Sequence, residues 1–180
     1  MPGEGLTAEG VEQAKVLGVR LADEEIDLGV ATRLLRTQET LELALGGRDV
    51  PRLVVRELDE IDFGRFEGGP LQAYRSWAAA HRPMVEAPGH GESRADAATR
   101  YAMGLARLLD RPERRILVVG HALAIRYAVD AARGLVPAPL MAPVEHAVVH
   151  SLGADDVAAA AALLERWSRA PRFRDKPRGG

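Results

Sequence analysis

The stretch "RRILVVGHALAIRYAV", Arg114–Val129, decides how the rest of the chain is read. Within it "ILVVG" is a short, unbroken apolar run, the pattern of a strand buried on both faces. Gly120 and His121 interrupt the run, and from Ala122 to Arg133 the apolar residues recur at helical spacing. A buried strand running directly into a helix is part of a βαβ unit and predicts an α/β fold with a mostly parallel sheet. In such sheets ligands gather at the carboxyl ends of the strands, which is where His121 falls.

The same alternation extends in both directions. "TAEGVEQAKVLGVRLA", from Thr7, places Val11, Ala14, Leu17, Gly18 and Leu21 on one helical face, with Thr7 as N-cap. "IDLGVAT", Ile26–Thr32, reads as a strand, and "RLLRTQETLELAL" as a helix through Leu34, Gln38, Leu41 and Leu45. After Gly46 and Gly47, "PRLVVREL" predicts a short strand, and the charged, glycine-punctuated "DEIDFGRFEGGP" a structured loop. A helix over 70–80 precedes "RPMVEAPGHGES", a second loop that reads as a lid or pocket rim. A helix over 95–109, a strand at "EHAVVHSL" and an Ala-rich helix from Ala154 follow, and residues 171–180 read as a frayed tail.

A length of 180 residues fits one domain, 1–180. With 28% charged residues and a net charge of -2, nothing draws the chain to nucleic acid or to an anionic membrane. No apolar run approaches the roughly 20 residues that span a bilayer, and "MPGEGLTAEG" lacks the regions of a signal peptide, so the default location is cytoplasmic. The chain has no cysteine, which removes disulfides and thiolate chemistry. The five histidines form no HExxH-type pair, and no metal or cofactor is expected. Composition leaves both a monomer and a homodimer open.

Candidate chemistry follows from position. Arg36 lies in the first turn of a helix just beyond a strand end, where free N–H groups and the helix dipole favour an anion and a guanidinium can grip it bidentately. The plainer reading is a surface arginine paired with Glu39. His121 can donate to a phosphoryl oxygen or carry a proton, or serve as a structural histidine at a strand end. Glu57, Asp59, Glu60, Asp62 and Glu67 crowd one loop. A general acid needs only one of them to be held protonated, and the others read as solvated.

Taken in order, "LTAEGVEQA", "ATRLLRTQET", "LDEIDFGRFEG", "GHGES" and "ILVVGHALAIR" form a series that resembles the histidine phosphatase superfamily, which includes cofactor-dependent phosphoglycerate mutases and many small phosphatases. The resemblance spans about Leu6 to Leu152. It implies a three-layer sandwich, helices flanking a mostly parallel sheet, and a phosphate pocket of two histidines and two arginines. Arg36 matches the second pocket arginine, and Thr32 stands where the family usually has serine. Glu60 matches the acid that protonates the leaving group. His121 matches the second histidine, with Ala122 where glycine is frequent. Tyr74, Trp77, His81 and His90 would form the substrate rim.

The family opens with a strand ending in Arg-His-Gly, whose histidine is the nucleophile. Here no such tripeptide occurs, and no histidine precedes His81. The expectation is an N-terminally truncated member, its first inner strand missing from beside "ILVVG" and its covalent chemistry lost. The implied activity is that of a phosphomonoester phosphatase acting on a small phosphorylated metabolite through a phosphohistidine, inactive in this form. A non-catalytic phospholigand-binding or regulatory protein and a phosphoglycerate mutase are the alternatives. The short segment from Gly68 to Ser93 argues against the mutase.

Overall fold

A computed structural model describes residues 4–141 and 143–174 of the chain. Three parallel strands, β1 (Leu28–Ala31), β2 (Arg52–Val54) and β3 (Ile116–Val118), form a sheet in the order β2-β1-β3, with Val30 opposite both Leu53 and Val118. Six helices accompany them: α1 (Ala8–Arg20), α2 (Leu35–Leu45), α3 (Leu71–Ala80), α4 (Arg94–Leu109), α5 (Ala122–Ala132) and α6 (Ala154–Arg169).

The central strand sorts the layers. β1 is buried along its whole length, and alternation sends its side chains to opposite faces. Leu28 and Val30 pack with Val55, Leu58 and Leu108 of α4, whereas Ala31 packs with Leu41 and Leu45 of α2. Helices therefore cover both faces of a parallel sheet, the predicted α/β sandwich. The Thr7 hydroxyl caps α1 by accepting the Gly10 N–H at 3.1 Å. At Gly18 a Cβ would stand 2.7 Å from the Leu43 carbonyl oxygen, so glycine is what lets α1 lie against α2. The largest core lies beyond the sheet, where Tyr101, Tyr127, Leu164 and Trp167 join α4, α5 and α6. Each such burial contributes about 1.5–3 kcal/mol.

Two expectations are corrected. "EHAVVHSL" forms no strand: 145–152 is irregular, with Val148 and Val149 exposed. A strand-like pattern yields a strand only where a neighbour offers a ladder. β3 is the edge of the sheet, unpaired on its outer side among the described residues. The start of the tail is docked rather than frayed. Trp167 Nε1–H donates to the Arg172 carbonyl at 2.7 Å, and Arg174 pairs with Asp130 at 2.9 Å. Residues 175–180 of that tail lie outside the described residues. Among the described residues no helix is long and apolar enough to cross a membrane.

Candidate active site

The site begins where β1 ends. Thr32 follows the strand, and the turn at Arg33 is held by Asp59, which accepts the Arg33 N–H at 2.8 Å and pairs with its Nε at 2.5 Å. That turn launches α2 with Arg36 in its first turn and no side-chain cap on the helix. β3 leads in the same way into α5, whose N-cap residue is His121, again without a side-chain cap. Two helix N-termini with spare N–H groups and positive dipole ends thus start beside each other.

His121 joins them. Only 5% exposed, its ring places Nε2 2.9 Å from Thr32 Oγ1 and Nδ1 3.3 Å from Arg36 Nη2. Burial, then the charges of Arg36 and Arg100, push its pKa down to about 3, so the ring is neutral. Arg36 makes no ion pair among the described residues. Glu39, its suggested surface partner, instead accepts the Leu6 N–H at 2.6 Å. A cationic side chain without a carboxylate, at two uncapped helix ends, is built to receive an anion.

Among the five loop carboxylates, Glu60 stands apart. Asp59 is committed to Arg33, Glu57 faces Arg107 at 3.2 Å, Asp62 accepts the Gly64 N–H at 2.8 Å and Glu67 the Phe63 N–H at 2.9 Å. Burial raises the Glu60 pKa to about 6, against the lowering effects of the Ile61 N–H and of Arg36 and Arg100. A carboxyl so held keeps a proton to higher pH than an ordinary glutamate and can give it up. Its position is set by Arg100, whose guanidinium donates to the carbonyls of Glu57 (3.0 Å), Asp59 (2.8 Å) and Glu60 (3.3 Å) while pairing with Glu92 at 2.6 Å. Glu60, Asp59, His90 and Arg100 line a cleft of about 300 Å³.

The residues expected on the rim differ in exposure. His90 is exposed at φ 63 on the turn that zips to the acidic loop, through Arg65 N–H to the Pro88 carbonyl (2.6 Å) and Glu92 N–H to the Asp62 carbonyl (2.9 Å). Trp77 is partly buried and stacks on His81 at 4.6 Å. Tyr74, expected on the rim, is 4% exposed and packs edge-on against Phe63 at 4.6 Å, a core wall behind the loop. Ala122 is exposed at the first position of α5. Thr32, Arg36 and His121 meet directly, and the charge of Arg36 acts on Glu60. Sequence reading missed Thr37, whose hydroxyl lies 2.8 Å from that of Thr32, along with Arg100, and offered Asp59 only as an acid or a solvated carboxylate rather than as the buried partner of Arg33. Among the described residues no three His, Asp or Glu side chains converge on a metal site.

Known proteins resemble this chain in sequence and fold. The family model of the histidine phosphatase superfamily (branch 1) matches residues 2–165. An adenosylcobalamin/alpha-ribazole phosphatase of Escherichia coli K12 is 31% identical over 125 residues, covering 64% of this chain and 61% of that protein. The Salmonella typhimurium LT2 protein of the same name is 32% identical over 94 residues, 48% of this chain and 46% of that protein. The chain thus spans about half the length of the curated relatives it matches. The solved alpha-ribazole phosphatase of Shigella flexneri superposes with a TM-score of 0.64 at 29% identity, covering 73% of this chain and 68% of that one.

Proposed function

Because the chain belongs to the histidine phosphatase superfamily, we propose that it forms the phosphate-gripping and proton-donating part of a phosphomonoester phosphatase that acts on a small phosphorylated metabolite through a phosphohistidine. The observation that carries this reading is the Arg36–His121 contact at two uncapped helix N-termini, with a protonatable Glu60 beside it. Arg36, His121 and the first N–H groups of α2 and α5 would hold the non-bridging phosphoryl oxygens. Glu60 would give its proton to the bridging oxygen as the P–O bond breaks. The resulting carboxylate would take a proton from the water that cleaves the phosphohistidine.

The names of the relatives favour hydrolysis over mutase chemistry and suggest a substrate of the alpha-ribazole phosphate kind. The nucleophile has no residue here, since no Arg-His-Gly occurs and His81 is the first histidine. That absence favours a second reading for the 180-residue polypeptide on its own, phosphate binding without turnover.

Phosphate release from alpha-ribazole 5'-phosphate separates the readings. It is measured with the 180-residue polypeptide and with the same chain preceded by a strand ending in Arg-His-Gly. Turnover is expected only from the extended form, and is lost there in Glu60→Ala and His121→Ala. Turnover by the unextended polypeptide, abolished by His121→Ala, would overturn the second reading. Neither turnover nor phosphate binding by either form would overturn both.

A further inference from the structure

Thr37, in the first turn of α2, is 3% exposed. Its hydroxyl carries one proton and lies within hydrogen-bond range of four polar groups, the Thr32 carbonyl being the most distant at 3.4 Å. It accepts the Thr32 N–H at 3.1 Å, lies 2.8 Å from the Leu34 carbonyl oxygen, and lies 2.8 Å from Thr32 Oγ1. A hydroxyl oxygen sits that close to a carbonyl oxygen only with a proton between them, so the Thr37 proton points at Leu34. The Thr32 hydroxyl must then supply the proton in the Thr32–Thr37 contact. With that proton committed, Thr32 Oγ1 faces His121 Nε2, 2.9 Å away, as an acceptor. Nε2 therefore carries the hydrogen.

The other side of the ring gives the same answer independently. Arg36 Nη2 can only donate, and at 3.3 Å from Nδ1 it requires a lone pair there. Both ends of the chain of contacts thus specify one neutral tautomer, with Nδ1 bare on the side where an anion would meet Arg36. A bare lone pair repels an anionic oxygen. The charges facing the ring are Arg36 from α2 and Arg100 from α4, both opposed to its protonation, while Glu60 from the acidic loop lies within reach of the same two cations. Thr32 and Thr37 add no charge. A dianion seated between Arg36 and Nδ1 would engage the first cation and offset the second.

We propose that Thr37 is a positioning residue that fixes the His121 tautomer, and that the site consequently takes up a proton from solvent at His121 Nδ1 with each phosphate-like dianion it binds. This rests on the phosphate-site reading above. The bound state then presents Nδ1–H to the anion and Nε2–H to Thr32, with the incoming proton drawn from the buffer.

Sulfate is the probe, because it does not titrate near neutrality. Calorimetry of the full 180-residue chain in buffers of different ionisation heat is expected to show net proton uptake on sulfate binding, with affinity rising as pH falls. Nitrogen-15 spectra of the histidine ring should show Nε2–H in the free chain and both nitrogens protonated in the complex. In Thr37→Val the Thr32 proton has no acceptor except Nε2 and Arg36 alone is left to keep Nδ1 bare, so Nδ1–H is expected to become populated and proton uptake to fall in proportion. Thr37→Ser should restore both.

Nδ1–H in the free wild-type chain, sulfate binding without proton uptake, or a Thr37→Val chain with unchanged tautomer and uptake would each overturn the proposal. Should Thr37→Val not fold, the two wild-type measurements decide it. A chain that binds no sulfate overturns the phosphate-site reading and the uptake with it, while the ligand-free spectrum still tests the role of Thr37.

Discussion

Arg36 Nη2 stands 3.3 Å from His121 Nδ1, so the first turn of α2 and the N-cap residue of α5 meet through two side chains that both lack a carboxylate partner among the described residues. Arg36→Met keeps much of the stem and removes the charge. Sulfate or phosphate affinity should fall about 10- to 100-fold, the worth of one or two charged hydrogen bonds. The His121 pKa should rise from about 3, yet stay below its ordinary value because burial, its largest cause, remains. Calorimetry and a histidine NMR titration check the two halves separately.

Glu60→Gln should stabilise the protein at alkaline pH. The folded pKa of Glu60 is raised from 4.5 to about 6. The folded state therefore holds this proton more tightly than the unfolded chain, and the contribution of Glu60 to stability is full below about pH 4.5 and falls as pH rises through about 6. The loss amounts to about 2 kcal/mol. Denaturant unfolding at pH 8 should show the Gln variant ahead by about that amount, and the two proteins level at pH 4.

His121 acts in the opposite direction. Its folded pKa lies near 3 against 6.5, so below pH 6.5 the unfolded chain gains a proton that the folded ring refuses. Wild-type stability should drop by about 1.4 kcal/mol per pH unit between 6.5 and 3 from this group alone. In His121→Asn that contribution disappears, and stability plotted against pH should be shallower on the acid side. An unchanged acid slope would mean that the ring is already charged in the folded state.

Arg100→Lys should be costly despite keeping the charge. An ammonium has no planar fork with which to span the Glu57, Asp59 and Glu60 carbonyls and the Glu92 carboxylate. A loss of about 2–4 kcal/mol in unfolding free energy is expected, from strained or unmet acceptors. Carbon-13 spectra of the Glu60 carboxyl should show an altered pKa, because the turn that places it has loosened.

Local pattern carried far along this chain, and non-local contact is where it stopped. Arg36, Glu60 and His121 were legible because each sits at a strand end or in a charged loop within a recognisable series. Thr37 reads as an ordinary polar residue of a first helical turn, and only the packing of Thr32 against His121 shows what its hydroxyl does. Arg100 reads as a solvent-facing helical residue, yet its partners lie about forty positions earlier. Tyr74 has the residue type of a rim aromatic, but Phe63 and Phe66 cover it. Gly120, which interrupts the apolar run, is absent from the positive-φ glycines and has open space where a Cβ would stand. The strand pattern at 145–152 lacked a ladder to join.

Arg100 takes hold of main-chain oxygens, which every amino acid possesses. The zipper between the acidic loop and the turn bearing His90 is likewise written in backbone atoms, Arg65 to Pro88 and Glu92 to Asp62. Exposed side chains on these loops, His90 among them, can therefore drift without shifting the address of the Glu60 carboxyl. Such a scaffold separates inheritance of the acid from inheritance of the rim: new specificities can be sampled by mutation while the proton donor stays where it was.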